Sequence, residues 1–146
     1  LFNVLRAYLD FEETHALDLF GGTGSISLEL LSRGCQSVVT VERDRKHFAF
    51  IVSCLKALEC ENATPLCTDA LRFISRCRQQ FNLVFADPPY ALVELPELPD
   101  RVMTSNLLAD GAVFVLEHGK NYDFSSRPDF LEHRAYGSVN FSFFRK

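Results

Sequence analysis

An acid, two prolines and an aromatic ring, Asp87-Pro88-Pro89-Tyr90, follow the apolar run Leu83-Val84-Phe85-Ala86. Proline fixes its own φ, lacks an N–H and restricts the residue before it. The backbone of this segment therefore presents acceptors only. The Asp87 carboxylate and the Pro88 carbonyl can converge on one amino group and accept both of its hydrogens. Tyr90 offers a ring on which a planar base can stack, an interaction worth about 1–3 kcal/mol. An exocyclic amine conjugated to a base is a poor nucleophile. Holding both N–H bonds toward acceptors favours a pyramidal nitrogen whose lone pair faces an electrophile. The competing reading is a rigid strand exit with a surface tyrosine.

A second constellation lies upstream. Asp18-Leu19-Phe20-Gly21-Gly22-Thr23-Gly24 joins a short apolar strand to a helix. Glycines let a loop turn tightly and approach a ligand closely, and the helix start that follows favours an anionic group. The dinucleotide pattern G-x-G-x-x-G fails at its third glycine, where Ser27 stands, which disfavours a nicotinamide enzyme. An acid ahead of the loop suits a cofactor with an amino-acid part, whose ammonium needs an anionic or carbonyl partner. Glu42 ends the next strand, where an acid can accept both hydroxyl protons of a ribose. Asp69, before Ala70, can accept from an adenine amine or cap the helix that follows.

The elements needed to position these residues can be read from hydrophobic period. Strands are expected at 16–20, 37–41, 65–68, 83–86 and 112–116, the last after Asp110-Gly111. A closing pair is expected at 130–136 and 138–144, turning at Gly137. Helices are expected at 25–33, stopped by Gly34, and at 44–58, with Asp44 as N-cap and Phe48, Ile51, Val52, Leu55 and Leu58 on one face. Two more are expected at 70–79 and 98–108. Strands alternating with helices imply parallel βαβ units, hence a doubly wound α/β sheet, here mostly parallel and seven-stranded with a C-terminal antiparallel hairpin. Ligands of such sheets bind beyond the strands' carboxyl ends, and each of those ends carries one of the suggestive groups.

Composition narrows the classes further. The 146 residues are 47% apolar, enough for a single domain over 1–146 with a real core. No stretch has the roughly 20 apolar residues of a membrane span, and no signal-peptide pattern is present. Five cysteines, Cys35, Cys54, Cys60, Cys67 and Cys77, contain no C-x-x-C pair, so reduced core thiols are expected and no metal site. The four histidines have no ligand spacing, and only His118, after Glu117, is expected near the site. A net charge of −4 argues weakly against a strongly basic nucleic-acid face.

D-P-P-Y together with D-L-F-x-G-T-G resembles the signature of S-adenosylmethionine-dependent amino methyltransferases. More narrowly, the chain resembles the RsmD family, the guanine-N2 methyltransferases of bacterial small-subunit (16S) ribosomal RNA. The likeness runs through Phe2-Asn3, Leu17 to Gly24, Glu29, Ser32-Arg33-Gly34, Val41-Glu42, Asp69-Ala70, Phe85 to Tyr90, Glu117 and Tyr136-Gly137. It departs at Cys35, where the family has alanine, and lacks the family's basic stretch ahead of Leu1.

The resemblance implies a Rossmann-like fold and S-adenosyl-L-methionine as cofactor, held by Asp18, Leu19, Phe20, Gly22, Thr23, Gly24, Glu42, Arg43, Asp69, Ala70 and Asp87. Asp87, Pro88, Pro89 and Tyr90 would hold a guanine turned out of its stack. It further implies ribosomal RNA in the small-subunit particle as partner, a monomer in the cytoplasm, and no metal or membrane. Two alternatives stand beside it. One is an amino methyltransferase acting on adenine-N6 of DNA or RNA or on a protein glutamine; the other is an inactive cofactor-binding scaffold.

Overall fold

The computed structural model describes residues 1–146. Seven strands form one sheet in the order β3-β2-β1-β4-β5-β7-β6. They are β1 (His15–Asp18), β2 (Ser37–Val41), β3 (Ala63–Leu66), β4 (Phe81–Ala86), β5 (Leu108–His118), β6 (Phe130–Tyr136) and β7 (Val139–Arg145). The first five run parallel, and β7 enters antiparallel between β5 and β6. Strand order reverses between β1 and β4, where a crevice for a ligand opens in sheets of this kind.

The helices are α1 (Phe2–Leu5), α2 (Ser25–Ser32), α3 (Arg45–Ala57), α4 (Ala70–Arg76) and α5 (Leu98–Met103). Successive side chains of a strand point to opposite faces, so two cores form. Leu17, Val39, Val84 and Phe114 pack with Ala70 and Ile74 of α4 and with Leu98 and Val102 of α5. Ala16, Val38, Leu83, Phe85 and Val113 pack on the other face with Leu5 and with Leu30 of α2. Central strands buried on both faces read as unbroken apolar runs, which is why their positions were plain in the sequence.

Several boundaries differ from expectation, among them the end of β1, at Asp18 and not residue 20, and the start of β4, at Phe81 and not residue 83. β3 lies two residues earlier than the expected 65–68, with Pro65 inside it; this is an edge strand paired only to β2, where a missing N–H is tolerated. The helix expected over 98–108 stops at Met103, and Leu108 instead pairs with Phe81 in β5. β5 thus starts before Asp110-Gly111, and that dipeptide forms an irregularity inside it, with Gly111 at φ +78°. The helix expected to Gln79 ends at Arg76. Asp44 caps α3 as expected, accepting from the N–H groups of Lys46 and His47, but Leu58 is 63% exposed and lies outside the packed face.

Candidate active site

The carboxyl ends of β1, β2, β4 and β5, with the start of α4, surround one cavity of about 440 Å³. Its wall holds Leu19, Phe20 and Gly22 from the glycine loop, Val41, Glu42, Arg43 and His47 around β2, and Asp69, Ala70 and Leu71 at α4. Asp87, Pro88, Pro89, Tyr90, Leu92 and Glu117 complete it. The two constellations picked out in the sequence thus share one space, although about 45 residues separate the ends of β2 and β4 along the chain.

The glycine loop is shaped by what its backbone must avoid. Gly21 donates its N–H to the Val41 carbonyl at 2.9 Å, and a Cβ there would lie 2.5 Å from Thr40 Cγ2. Gly22 has φ +57°, and a Cβ there would meet nothing within 4 Å. Its N–H donates to Glu42 Oε1 at 2.8 Å, while the Asp44 N–H donates to Oε2 at 2.6 Å. Two backbone donors therefore fix the Glu42 carboxylate at the cavity wall, leaving each oxygen lone pairs for hydroxyl donors.

Gly24, at φ +83°, is the N-cap of α2 and is pressed toward Ile51, with a Cβ reaching Ile51 Cγ1 at 3.0 Å. Gly24 is buried behind the loop and Thr23 is exposed, and neither lines the cavity. They shape the loop rather than face a ligand.

Asp18 also stands back from the wall. It is 1% exposed, and its Oδ2 accepts from the Ser27 hydroxyl at 2.7 Å, with Ser27 Oγ 2.6 Å from Thr40 Oγ1. Its Oδ1 is the one buried side-chain polar atom without a hydrogen-bond partner. Burial pushes the carboxyl up to about 7 against the pull of the Ser27 hydroxyl, and the nearby charges of Asp87 and Glu42 push the same way. An under-satisfied buried acid behind an acid-lined cavity suits a cationic group on the ligand. Ser27, which breaks the dinucleotide pattern, is the residue that holds this acid.

Of the two readings of Asp69, the helix cap is present, and the residue also stands at the cavity. It caps α4, its Oδ2 accepting from the Arg72 N–H at 3.0 Å, and it lines the cavity. Arg43 lies 4.0 Å from its other oxygen, an exposed and therefore weak pair.

At the strand exit, Pro88 is buried while Pro89 and Tyr90 are exposed, Tyr90 by 64%. The Pro89 carbonyl accepts from the Leu92 N–H at 2.9 Å, closing the turn. The Pro88 carbonyl has no donor within the protein. The free acceptor is thus the one that the sequence singled out beside Asp87.

Two titratable wall residues had no site role in the sequence reading. Glu117, one residue before the end of β5, stands beside Asp87, and burial and the Asp87 charge push it up to about 7. Its signal was the rule that placed the other groups, an acid at a strand's carboxyl end. His47, one turn into α3, left no such signal. His118, expected near the site, instead faces the β6–β7 hairpin. It is fully buried, with Nε2 2.7 Å from the Ser142 hydroxyl and Nδ1 2.7 Å from the Gly119 carbonyl. Neighbours on a strand alternate between faces, so Glu117 on the cavity turns His118 away.

A mixed sheet of this order, with a ligand cavity over its switch point, is the Rossmann-like fold of S-adenosylmethionine-dependent methyltransferases. SMU.776, solved in complex with SAH, has that fold with a TM-score of 0.73 at 12% identity, over 91% of this chain and 45% of that one. The chain belongs to the family described as Conserved hypothetical protein 95, whose model matches residues 1–145.

Within reach of that family, the chain is 31% identical over 117 residues to the Escherichia coli K12 protein named ribosomal RNA small subunit methyltransferase D. That match covers 80% of this chain and 58% of the relative, so the chain spans under two thirds of its length. YlbH of Bacillus subtilis is 32% identical over 127 residues, covering 84% of this chain and 68% of that protein. A conserved hypothetical protein of Streptococcus pyogenes superposes with a TM-score of 0.84 at 29% identity, over 99% of this chain and 91% of that one.

Proposed function

We propose that the chain transfers a methyl group from S-adenosyl-L-methionine to the exocyclic N2 amine of a guanine in small-subunit ribosomal RNA. One observation carries the reading. Asp87, Pro88, whose carbonyl accepts from no donor of the protein, and Glu42 line one cavity, so acceptors suited to an amine and to a ribose share a single space. The family and the name of the Escherichia coli relative support the choice of ribosomal RNA and of its small subunit. The RsmD resemblance is the ground for guanine N2.

S-adenosylmethionine supplies an electrophilic methyl on a sulfonium. Leu19, Phe20 and Gly22 would hold its methionine part against the loop backbone, Asp18 offering its unpartnered Oδ1 as a counter-charge to the ammonium. Glu42 would accept from the ribose hydroxyls, with Arg43 beside it, and Asp69 and Ala70 would meet the adenine. Thr23 and Gly24 keep the loop in shape for this. Asp87 and Pro88 would take both amine hydrogens while Pro89 fixes the turn and Tyr90 stacks on the extruded base. Catalysis is then mainly positioning of the nitrogen against the methyl carbon. A single domain over 1–146, acting as a monomer on the assembled particle in the cytoplasm, completes the proposal; no helix is long and apolar enough to cross a membrane.

Small subunits lacking the modification, incubated with methyl-labelled cofactor and digested to nucleosides, test the reading. N2-methylguanosine in the small-subunit RNA is expected. Label in N6-methyladenosine or in protein would move the activity to another substrate, and no label in any fraction would leave a cofactor-binding scaffold.

A further inference from the structure

β4 and β5 run parallel with Ala86 opposite Leu116. The next residues, Asp87 just past the end of β4 and Glu117 still paired with Phe141 in β5, therefore stand side by side, and both line the cavity. Neither carboxylate is paired with a cation of the protein. Desolvation raises both, more firmly for half-buried Glu117 than for Asp87, whose surface is largely open to solvent, and the Asp87 charge raises Glu117 further. Two adjacent carboxylates in such a site hold one proton between them near neutral pH. The proposed transfer needs such a partner. The amine nitrogen forms its bond to the methyl carbon with its lone pair, and the carbon–sulfur pair stays on sulfur as a neutral thioether. The nitrogen is left positive and must lose one proton.

We infer that Glu117 is the residue with which Asp87 shares the proton released by the methylated amine. The inference rests on the amine-methyltransferase reading above. Asp87 touches the amine; Glu117 acts through it and is a positioning residue. A lone carboxylate is a weak proton acceptor at neutral pH, whereas the pair can keep the proton inside the cavity until the product leaves and solvent takes it. The remaining charged or titratable groups facing the pair are Asp18 behind it, Glu42, Asp69 and Arg43 across the cavity, and His47 and Tyr90 on its rim.

The test is the pH dependence of single-turnover methylation of small-subunit RNA by the intact chain, with S-adenosylhomocysteine affinity measured alongside. Below about 7 the pair already carries its proton and cannot take another, so the wild-type rate should fall as pH drops through that value. Glu117→Gln should lower the rate at pH 8 about tenfold, at the low end of what proton-transfer groups contribute. It should also move the falling limb to lower pH while changing S-adenosylhomocysteine affinity less than about twofold. Glu117→Asp should keep the limb near neutrality. The limb should persist in His47→Gln and, with cofactor saturating because Asp18 is placed against the ammonium, in Asp18→Asn, whatever that variant's absolute rate.

An unchanged rate and limb in Glu117→Gln would overturn the inference. So would a limb that vanishes in either control, or a loss in Glu117→Gln that is the same at every pH and matched by lost cofactor-product affinity. A wild-type protein that methylates no amine at any pH would instead overturn the underlying reading, which separates the two failures.

Discussion

Asp18→Asn should remove one contribution to stability that is lost as pH rises. Asp18 is fully buried, and its carboxyl is pushed from 3.8 up to about 7. A carboxyl raised in the folded state favours folding when protonated. Its contribution is complete below about pH 3.8 and is lost as pH rises through about 7. A tenfold change in proton affinity is worth about 1.36 kcal/mol, so the rise from 3.8 to about 7 amounts to about 4 kcal/mol across that window. Asparagine cannot ionise, and its amide oxygen still accepts from the Ser27 hydroxyl. Its amide N–H would take the place of the unpartnered Oδ1, at a cost of about 1–3 kcal/mol that does not vary with pH.

The slope and not the offset is therefore the prediction. Urea unfolding of both proteins from pH 4 to pH 8 should show the difference moving in favour of Asp18→Asn by about 1.4 kcal/mol per pH unit up to about 7, then levelling. Parallel curves across that range would refute the burial argument for Asp18.

Glu42→Ala should weaken S-adenosylhomocysteine binding by about 1.5–3 kcal/mol, since two charge-assisted hydrogen bonds to ribose are lost; wild-type affinity in a calorimetric titration would remove Glu42 from the site. Gly21→Ala should destabilise the fold by about 1–3 kcal/mol, because its Cβ would fall 2.5 Å from Thr40 Cγ2. An unfolding midpoint equal to wild type would show that β2 yields more easily than its packing implies. Tyr90→Phe keeps the stacking ring and should bind RNA nearly as wild type, whereas Tyr90→Ala should lose about 1–3 kcal/mol of it; equal affinities in a filter-binding assay would deny the stack.

The bounds of β2 could be read from its β-branched run and the end of β6 from the turn at Gly137, and the seven-strand topology followed from the alternation of periods. The boundary of α5 could not. Leu107 and Leu108 continue a helical-looking apolar run, and only the pairing of Leu108 with Phe81 starts β5 there. An acid at or just past a strand's carboxyl end marked Glu42, Asp69 and Asp87 as cavity residues, and the same rule, not applied to β5, would have marked Glu117. The burial of Asp18 was not legible, since a strand covered on both faces gives no alternation to tell an inward acid from an outward one. Nor was the turning of His118 toward Ser142, which depends on β7 entering beside β5.

The central claim is that Asp87 holds the amine for attack, and Asp87→Ala tests it most directly. Its rate of methyl transfer to small-subunit RNA, measured in a single turnover, is set against its affinity for S-adenosylhomocysteine. A hydrogen bond made best in the transition state should appear in kcat and spare cofactor binding. The expected loss is at least about 100-fold in rate, with affinity near wild type and with Asp87→Asn, which keeps an acceptor oxygen, falling between the two. Methylation by Asp87→Ala at the wild-type rate would contradict the account and leave Asp87 to Tyr90 as no more than a stiff exit from the sheet.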